Sequence, residues 1–315
     1  MRILIVGGAG YIGGALTDIL MHSKHTVRVY DCLLYEESYR KDVELFYGDV
    51  RDRENLERQL KWCDVVIWLA ALVGDGACAL NPEVTFEINE KSVQWLANHF
   101  DKRIIFTSTC SVYGAQNKLL NESSPTKPIS VYASSKLAAE EHLQKSNAII
   151  FRLGTLFGIG DNFSRIRLDL VVNTLTVRAF KDKILKVFGG EQYRPVLHVK
   201  DAAQMIASSL EDKQTGIFNL HKENVKIINL AKKVKKHFPD LTLQTQDLTF
   251  EDARNYRVKS DKAKKLLSFK PSYSIDDGIG EIKQLLKEDR IKDVNNYRYT
   301  NQLFLSMFNT HLLGQ

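Results

Sequence analysis

Hydrophobic runs and amphipathic stretches alternate through residues 1–200 of the chain. The hydrophobic runs are short, as buried strands are, and the stretches between them repeat apolar residues at helical spacing. This alternation predicts an α/β fold in which crossover helices join the strands of a doubly wound parallel sheet. The predicted strands are Ile3–Val6, Thr26–Tyr30, Val65–Leu69, Ile104–Thr107 and Ala148–Leu153, and the predicted helices lie near Ile12–Met21, Arg53–Leu60, Pro82–Phe100 and Tyr132–Lys145.

After Gly154 the alternation loosens, because glycines and charged residues interrupt it. We expect residues 1–154, with about 196–221, to form the sheet domain. Residues of about 155–195 and 222–290 then form a smaller lobe over the strand ends, and 291–315 form a C-terminal arm that packs on its own chain or on a neighbouring subunit. The elements predicted here are a helix over Leu168–Phe180, a strand over Val196–Val199, a helix after Asp201 and a strand over Gly216–Leu220, with both strands rejoining the sheet.

Three regularly spaced glycines follow the first predicted strand and open the first predicted helix. In the motif Gly7-x-x-Gly10-x-x-Gly13, which contains Tyr11 and Ile12, the glycines permit a tight turn. They also let backbone amides approach a pyrophosphate at the positive end of the helix. The alternative is a flexible loop that binds nothing. The position between a strand and a helix favours a dinucleotide site in a Rossmann-type domain.

An aspartate stands at the end of the second predicted strand. Asp31 follows Gly13 by eighteen residues, where a carboxylate can accept hydrogen bonds from both hydroxyls of an adenosine ribose. The same carboxylate would repel a 2′-phosphate, and the next residues, Cys32-Leu33-Leu34, include no arginine. We therefore expect the cofactor to be NAD rather than NADP, with a turn-forming aspartate as the alternative.

A tyrosine and a lysine lie four positions apart in the helix predicted near residue 132. Tyr132 and Lys136 would share one face of that helix, where the ammonium can stabilise a phenolate. A tyrosine with an ordinary pKa of about 10 needs such stabilisation to act as a base at neutral pH. Together with the glycine motif, the pair predicts the general base of a hydride-transfer enzyme.

The composition is that of an ordinary soluble globular protein. Among 315 residues, 44% are hydrophobic and 26% are charged, and the net charge of +6 is spread along the chain rather than gathered in a nucleic-acid-binding patch. The four cysteines stand singly, without the C-x-x-C spacing of a zinc or redox site. No apolar run reaches the length of a membrane span, and the first residues form a strand pattern rather than a leader. We expect a cytoplasmic protein that binds neither nucleic acid nor membrane and holds no metal.

Several further motifs resemble those of a known family. They are Gly48-Asp49-Val50, Leu69-Ala70-Ala71, Phe106-Thr107-Ser108-Thr109-Cys110-Ser111-Val112-Tyr113-Gly114, Arg152-Leu153-Gly154, Arg194-Pro195-Val196-Leu197-His198-Val199-Lys200-Asp201 and Leu266-Leu267-Ser268-Phe269-Lys270-Pro271. With the glycine motif and the Tyr132/Lys136 pair, they resemble the extended short-chain dehydrogenase/reductase family, in particular its NAD-dependent nucleotide-sugar epimerases and dehydratases. The resemblance covers residues of about 1–275.

The resemblance assigns roles around the cofactor and the reacting sugar. It implies that Asp49 and Val50 contact the adenine and that Leu69-Ala70-Ala71 forms the wall beside the pyrophosphate and ribose. It also makes Thr109 the hydroxyl residue that hydrogen-bonds the oxidised sugar oxygen, in concert with Tyr132. The smaller lobe is then the substrate-binding lobe.

The resemblance also implies which residues bind the nucleotide-sugar substrate. Arg194 takes the place of the arginine that holds the substrate diphosphate, and Arg167 and Arg254 are further candidates for phosphate. For each of these two, a solvent-facing arginine is the alternative. Cys110 is a candidate for the substrate pocket, with a buried packing role as its alternative. Helices Pro82–Phe100 and Tyr132–Lys145 would form the interface of a homodimer.

One departure from the family pattern narrows the reaction. Dehydratases of the family place an Asp-Glu pair after the catalytic hydroxyl residue, whereas this chain has Cys110-Ser111. We therefore expect an NAD-dependent nucleotide-sugar epimerase that works through transient oxidation at C4 of the sugar. The alternatives are a hexose or heptose 4-dehydrogenase that releases the 4-keto product, and a non-catalytic NAD-binding regulator.

Overall fold

A computed structural model of the chain describes residues 1–161, 163, 165–246 and 255–308. Arg254 therefore lies outside the described residues, and its predicted phosphate contact stays a prediction. The strands are β1 (Arg2–Val6), β2 (Thr26–Asp31), β3 (Glu44–Tyr47), β4 (Val65–Trp68), β5 (Arg103–Thr109), β6 (Leu119–Leu120), β7 (Ala148–Leu153), β8 (Thr155–Phe157), β9 (Ile184–Phe188), β10 (Tyr193–His198), β11 (Gly216–Leu220), β12 (Glu223–Lys226), β13 (Thr242–Gln246) and β14 (Arg257–Val258).

Helices connect most of these strands, as the alternating pattern predicts. The α-helices are α1 (Tyr11–Met21), α2 (Arg53–Trp62), α3 (Asp75–Ala79), α4 (Pro82–Phe86), α5 (Ser92–His99), α6 (Val131–Leu143), α7 (Val171–Asp182), α8 (Val199–Ser208), α9 (Ile227–His237), α10 (Asp261–Leu266), α11 (Ile275–Lys287) and α12 (Asn301–Phe308). Short 3-10 turns occupy Cys110–Tyr113 and Tyr297–Tyr299.

Seven strands form one parallel sheet in the order β11-β7-β5-β4-β1-β2-β3. Its central strands are apolar on both faces because helices cover both sides, and every residue of β4 and β5 is buried. From β1 the chain continues to one side of the sheet through β2 and β3, and to the other side through β4 and β5. The carboxyl ends of β1 and β4 flank a crevice at this switch point. The predicted doubly wound Rossmann-type fold is confirmed.

The prediction that strand Val196–Val199 rejoins this sheet is wrong. Residues Val196–His198 lie in β10, which forms a separate small sheet in the order β12-β10-β8, and Val199 begins α8. Pro195 has no N–H to donate, so β10 suits a small sheet better than the interior of the large one. Gly154 lets β10 cross close to the end of β7, since a Cβ on Gly154 would lie 2.9 Å from the Pro195 carbonyl oxygen. The predicted return of β11 to the large sheet is confirmed.

A second core lies in the smaller lobe. It is built by α7, α9 and α11 packing on β9, β10 and β12. Buried apolar side chains from these elements, such as Leu185, Val196 and Leu230, form it. The lobe stands over the carboxyl ends of the large sheet and leaves a cavity between the two layers.

The helix predicted over Pro82–Phe100 is present but contains a wider turn. Residues Glu87–Lys91 are wound as a π-helix between α4 and α5. This turn holds Asn89, which is fully buried and hydrogen-bonds both backbone groups of Leu72 at 2.8 and 2.9 Å. Its amide also donates to the Ser135 hydroxyl at 3.0 Å. The π-turn therefore fixes the chain just after β4 to α6.

The described part of the predicted C-terminal arm packs on its own chain. Phe304 and Leu305 of α12 are buried against Leu72 and Ala77. The Arg298 backbone carbonyl accepts a 3.2 Å hydrogen bond from Arg165, which lies between β8 and α7. Across the described ranges, no helix combines the length and the apolar character that crossing a bilayer requires.

Candidate active site

The cavity between the large sheet and the smaller lobe measures about 960 Å³. Residues that follow β1, β2, β4 and β5 form one side of it, and residues of α7, β9 and β10 form the other. The predicted site residues that line it are Gly7, Gly10, Tyr11, Ile12, Gly13, Asp31, Asp49, Val50, Leu69, Ala70, Ala71, Thr109, Tyr132, Lys136, Arg167 and Arg194. The structure thus brings together residues from widely separated parts of the chain.

The glycine loop presents backbone to the cavity. Gly7 has φ +85°, and a Cβ there would lie 2.4 Å from the backbone nitrogen of Ala70. A Cβ on Gly13 would meet the Gly8 oxygen at 2.4 Å, so this glycine allows the loop to pack on α1. A Cβ on Gly10 would touch only the Gly7 oxygen, at 3.3 Å, and otherwise face open space. The first amides of α1 therefore lie against room for a ligand, as a pyrophosphate site requires.

Asp31 ends β2 beside this loop. One carboxylate oxygen accepts a 2.9 Å hydrogen bond from the Ala9 amide, and the other accepts one of 2.8 Å from the Leu33 amide. Burial raises the pKa of Asp31, and these amides act in the opposite direction. The carboxylate is thus held in place at the edge of the cavity.

Asp49 and Val50 follow β3 at the same end of the cavity. Asp49 forms a two-pronged ion pair with Arg51, at 2.8 and 3.0 Å. Burial alone would raise the pKa of Asp49, but Arg51 outweighs it and holds the pKa below its ordinary value. Val50 is buried and supplies an apolar wall.

Tyr132 lies in the first turn of α6, opposite the end of β5. Ser130 caps this helix by accepting a hydrogen bond from the Ala133 amide at 3.2 Å. Thr109 and Tyr132 both line the cavity, and the Thr109 side chain lies close enough to lower the pKa of Tyr132, so the two hydroxyl residues that sequence analysis paired do come together. Burial raises the pKa of Tyr132 above its ordinary value, while Arg167 and Thr109 oppose that rise. The chain by itself therefore holds Tyr132 as a neutral phenol at neutral pH.

Lys136 is buried one turn further along α6. Burial lowers its pKa to about 7, and the neighbouring charge of Glu140 opposes that fall. Its ammonium lies 4.0 Å from the centre of the Phe106 ring. Near neutral pH this lysine can exist in either charge state, which is a property of groups that assist proton transfer.

A buried ion pair lies behind these residues. Glu140 accepts hydrogen bonds from Arg152 at 2.6, 3.0 and 3.1 Å and a further one from the Ser108 hydroxyl. Glu140 and Arg152 are almost completely buried, so each charge compensates the other's loss of hydration. The pair joins α6 to β7 and steadies the strand end that carries Thr109.

The prediction that Cys110 reaches the substrate pocket is wrong. The 3-10 turn after Thr109 directs its thiol toward β7, where it donates to the Arg152 carbonyl oxygen at 3.2 Å. The side chain is fully buried, and burial raises the pKa of the thiol. Ser111 faces the cavity instead, and its hydroxyl lies 3.1 Å from the Tyr256 hydroxyl.

Arginines line the lobe side of the cavity. Arg194 on β10 is 4% exposed and donates to the Tyr193 carbonyl oxygen at 2.9 Å. Arg167 pairs with Asp169 through two hydrogen bonds of 2.9 Å. The Arg165 guanidinium stacks on the Tyr35 ring at 3.3 Å from its centre. These residues give this side of the cavity a cationic surface, and phosphate binding by Arg194 and Arg167 stays a prediction.

Sequence reasoning missed several residues that build the site. Asn89 holds the backbone of Leu72, and Asp75 accepts a 2.7 Å hydrogen bond from the Ser130 hydroxyl. Asn301 at the start of α12 also lines the cavity. Asn89 carried no distinct signal, because Thr85 and Ser92 on the same buried helix face are polar as well. For Asn301 the sequence offered only an aromatic C-terminal stretch with no visible partner.

A model of the "NAD dependent epimerase/dehydratase family" matches residues 3–220 of the chain. The chain belongs to this family. The match spans the glycine loop, Tyr132, Lys136 and Arg194, and it confirms the resemblance inferred from the motifs. The family depends on NAD, so NAD is the cofactor of this chain.

Proteins of the family that are similar to this chain catalyse several different reactions. The chain is 28% identical to a UDP-glucose 4-epimerase of Halalkalibacterium halodurans, with 87% of this chain and 91% of that protein covered. It is 25% identical to UDP-glucuronic acid decarboxylase 1 of Danio rerio, with 94% and 75% covered. The structure of UDP-glucuronic acid 4-epimerase from Bacillus cereus in complex with UDP-glucuronic acid and NAD has the same fold, with a TM-score of 0.77, 24% identity and 90% and 100% coverage. The chain is thus an NAD-dependent enzyme of the oxidoreductase type.

Proposed function

We propose that the chain is a nucleotide-sugar epimerase that acts through transient oxidation at C4 of the sugar. The observation that carries the proposal is the placement of Tyr132. Tyr132 lies beside Thr109 at the junction between the glycine-loop side of the cavity and the arginine-lined side. A sugar linked to a diphosphate would span that junction with its ring at Tyr132. The UDP-glucose 4-epimerase relative supports the same reaction class.

The residues on the glycine-loop side fit NAD. Gly10 leaves the space that a pyrophosphate needs, and the first amides of α1 are aimed at it. Asp31 is held for the ribose by the Ala9 and Leu33 amides, and we assign Asp49 and Val50 to the adenine. When bound, NAD accepts a hydride from the sugar carbon and can return it.

The side chains at the junction then handle the proton. Tyr132 accepts the proton of the sugar hydroxyl, and Thr109 orients both oxygens by hydrogen bonding. Because burial keeps Tyr132 neutral in the protein alone, its phenolate must be stabilised by cations. Arg167 already acts in that direction, and Lys136 supplies the second positive charge when it is protonated.

The arginine-lined side suits the substrate diphosphate. We assign Arg194 as the principal phosphate ligand because it lines the cavity on a rigid strand, with Arg167 as a further one. The residues after Thr109 provide no carboxylate, and Ser111 is bound to Tyr256. This arrangement favours return of the hydride over elimination of water, and therefore an epimerase over a dehydratase.

The experiment that tests this proposal uses the purified, NAD-loaded protein with UDP-, GDP-, dTDP- and CDP-sugars in turn. We would record the near-ultraviolet absorbance of reduced NAD and identify the recovered sugar by NMR. An epimerised sugar with little or no lasting absorbance is the expected result. A lasting rise with a 4-keto sugar would instead indicate a 4-dehydrogenase. Cofactor binding without any sugar-dependent change would indicate a regulator.

We further propose that the protein is a cytoplasmic homodimer, with residues 1–154 binding NAD and the smaller lobe binding the sugar nucleotide. Helices α5 and α6 pack side by side and would meet their counterparts in the partner. Sedimentation equilibrium tests the dimer, and a monomer at micromolar concentration would contradict it. Cell fractionation tests the location.

A further inference from the structure

The cavity has a third source of lining residues besides the large sheet and the smaller lobe. We define the C-terminal segment as Tyr297–Leu305, which comprises a 3-10 turn and the start of α12. Thr300, Asn301 and Gln302 of this segment line the cavity. These three residues lie far beyond the glycine loop and α6 in the sequence. The motifs discussed above therefore assign them no role.

The C-terminal segment is anchored on the side of the cavity that holds Tyr132. Phe304 and Leu305 are 7% and 1% exposed and belong to an apolar cluster with Leu72 and Cys78, against which Tyr132 also packs. Gly76 in α3 makes room for the segment, because a Cβ there would lie 2.2 Å from the Gln302 side-chain oxygen. The segment is therefore a neighbour of the proposed base.

Asn301 connects the segment to two parts of the site at once. Its backbone amide donates to Asp169 at 3.0 Å, and Asp169 is the ion-pair partner of Arg167. Its side-chain Nδ2 donates to the Val73 carbonyl oxygen at 2.7 Å. These bonds hold the asparagine firmly in the wall of the cavity.

One atom of Asn301 lacks a hydrogen bond. The side chain is 3% exposed, and its Oδ1 has no donor among the described residues. A buried amide oxygen without a donor is unfavourable and calls for an explanation. A sugar ring next to Tyr132 would present hydroxyl groups, each of which can donate to such an oxygen.

We propose that the C-terminal segment forms a wall of the sugar subsite and that Asn301 Oδ1 accepts a hydrogen bond from a sugar hydroxyl. The inference rests on the proposed function and adds a residue that selects the sugar. The hydrogen-bond partner of Asn301 Oδ1 is the hexose ring of a nucleotide sugar, because Arg194 and Arg167 are better suited to bind the phosphates. The nucleoside end is not expected to contact Asn301.

Calorimetric titration of the NAD-loaded protein tests the proposal. UDP-, GDP-, dTDP- and CDP-glucose are compared on the wild type, and the one that binds most tightly is carried forward with its nucleoside diphosphate. Asn301→Ala should weaken binding of the nucleotide-glucose about tenfold. Binding of the nucleoside diphosphate and of NAD should stay unchanged. Asn301→Leu, which preserves the volume of the side chain, should show the same selective loss if the alanine variant folds poorly.

Leu303→Ala is the matched control, because Leu303 is 50% exposed on the same helix. It should leave all three affinities unchanged. Equal losses for the nucleotide-glucose and the nucleoside diphosphate, or no loss for either, would overturn the inference while leaving the proposed function intact. A wild type that binds none of the four nucleotide sugars would overturn the proposed function and this inference with it.

Discussion

The Ser130 hydroxyl donates a 2.7 Å hydrogen bond to Asp75 while it accepts one from the Ala133 amide. Ser130 thus caps α6 and ties it to α3 two residues before Tyr132. This hydroxyl therefore helps to position the proposed base, together with the hydrogen bond from Asn89 to Ser135 further along α6.

Ser130→Ala should therefore cost both stability and activity. We expect a loss of about 1 kcal/mol in the free energy of unfolding and a severalfold fall in kcat, because the start of α6 is loosened. Ser274→Ala removes the cap of α11 in the smaller lobe, where it should cost a similar stability without lowering kcat. Chemical denaturation and turnover assays measure the two effects. Equal kcat in both variants would contradict the positioning role of Ser130.

Tyr132→Phe should lower kcat by at least about a hundredfold, because it removes the group that accepts the proton. The affinity for NAD, measured by calorimetry, should change little. Tyr113→Phe is the control, since Tyr113 is buried and donates to Asn219 at 2.9 Å behind the cavity wall. That variant should lose about 1 kcal/mol of stability and keep its turnover. Normal turnover by Tyr132→Phe would reject the assigned base.

Lys136→Met should stabilise the protein in a manner that depends on pH. The folded-state pKa of Lys136 is about 7, while an unfolded lysine has a pKa of about 10.4. Between these values the unfolded state binds more protons, so wild-type stability rises with pH over that window. Below pH 7 the folded protein bears the full free-energy cost of burying the Lys136 charge, and the methionine substitution removes that cost.

The gain in Tm from Lys136→Met is therefore expected to be on the order of 5 °C at pH 6 and to vanish near pH 10, even though turnover is lost. Differential scanning calorimetry across this range measures it. Lys145→Met, which alters an exposed lysine just after the same helix, should show no such trend. A gain from Lys136→Met that does not shrink as the pH rises would contradict the role of the buried charge.

Gly10→Ala should weaken NAD binding, whereas Gly7→Ala should lower the stability of the fold. The Gly10 variant should fold with a loss below about 1 kcal/mol but bind NAD at least about tenfold more weakly, since the added methyl group enters the space for the pyrophosphate. The Gly7 variant should lose about 2–4 kcal/mol of stability, because its φ is +85° and its Cβ would collide with Ala70. Thermal melts and NAD titrations separate the two. Undiminished NAD binding by Gly10→Ala would contradict the cofactor placement.

Asp31→Ala should weaken NAD binding at least about tenfold and narrow the preference for NAD over NADP, because the carboxylate that would repel a 2′-phosphate is gone. Titrations with both cofactors measure this change. Asp101→Ala, at an exposed position, is the control and should leave both affinities unchanged. A wild type that binds NADP as tightly as NAD would contradict the role of Asp31.

The sequence determined the parts of this protein that depend on neighbours along the chain. Alternating apolar and amphipathic segments predicted the large parallel sheet, since burial on both faces demands continuous apolar strands. Gly7, Gly10 and Gly13 were recognisable because the turn from β1 to α1 needs them at that spacing. Tyr132 and Lys136 were recognisable because one helical turn separates them.

Only the tertiary structure decided what depends on distant contacts. The side chain of Cys110 turns away from the cavity because a 3-10 turn follows β5, and β10 leaves the large sheet for a smaller one. Asn301 meets Val73 across 228 positions of sequence. Local periodicity carries no information on such pairs, because their meeting depends on how both layers and the C-terminal segment pack together.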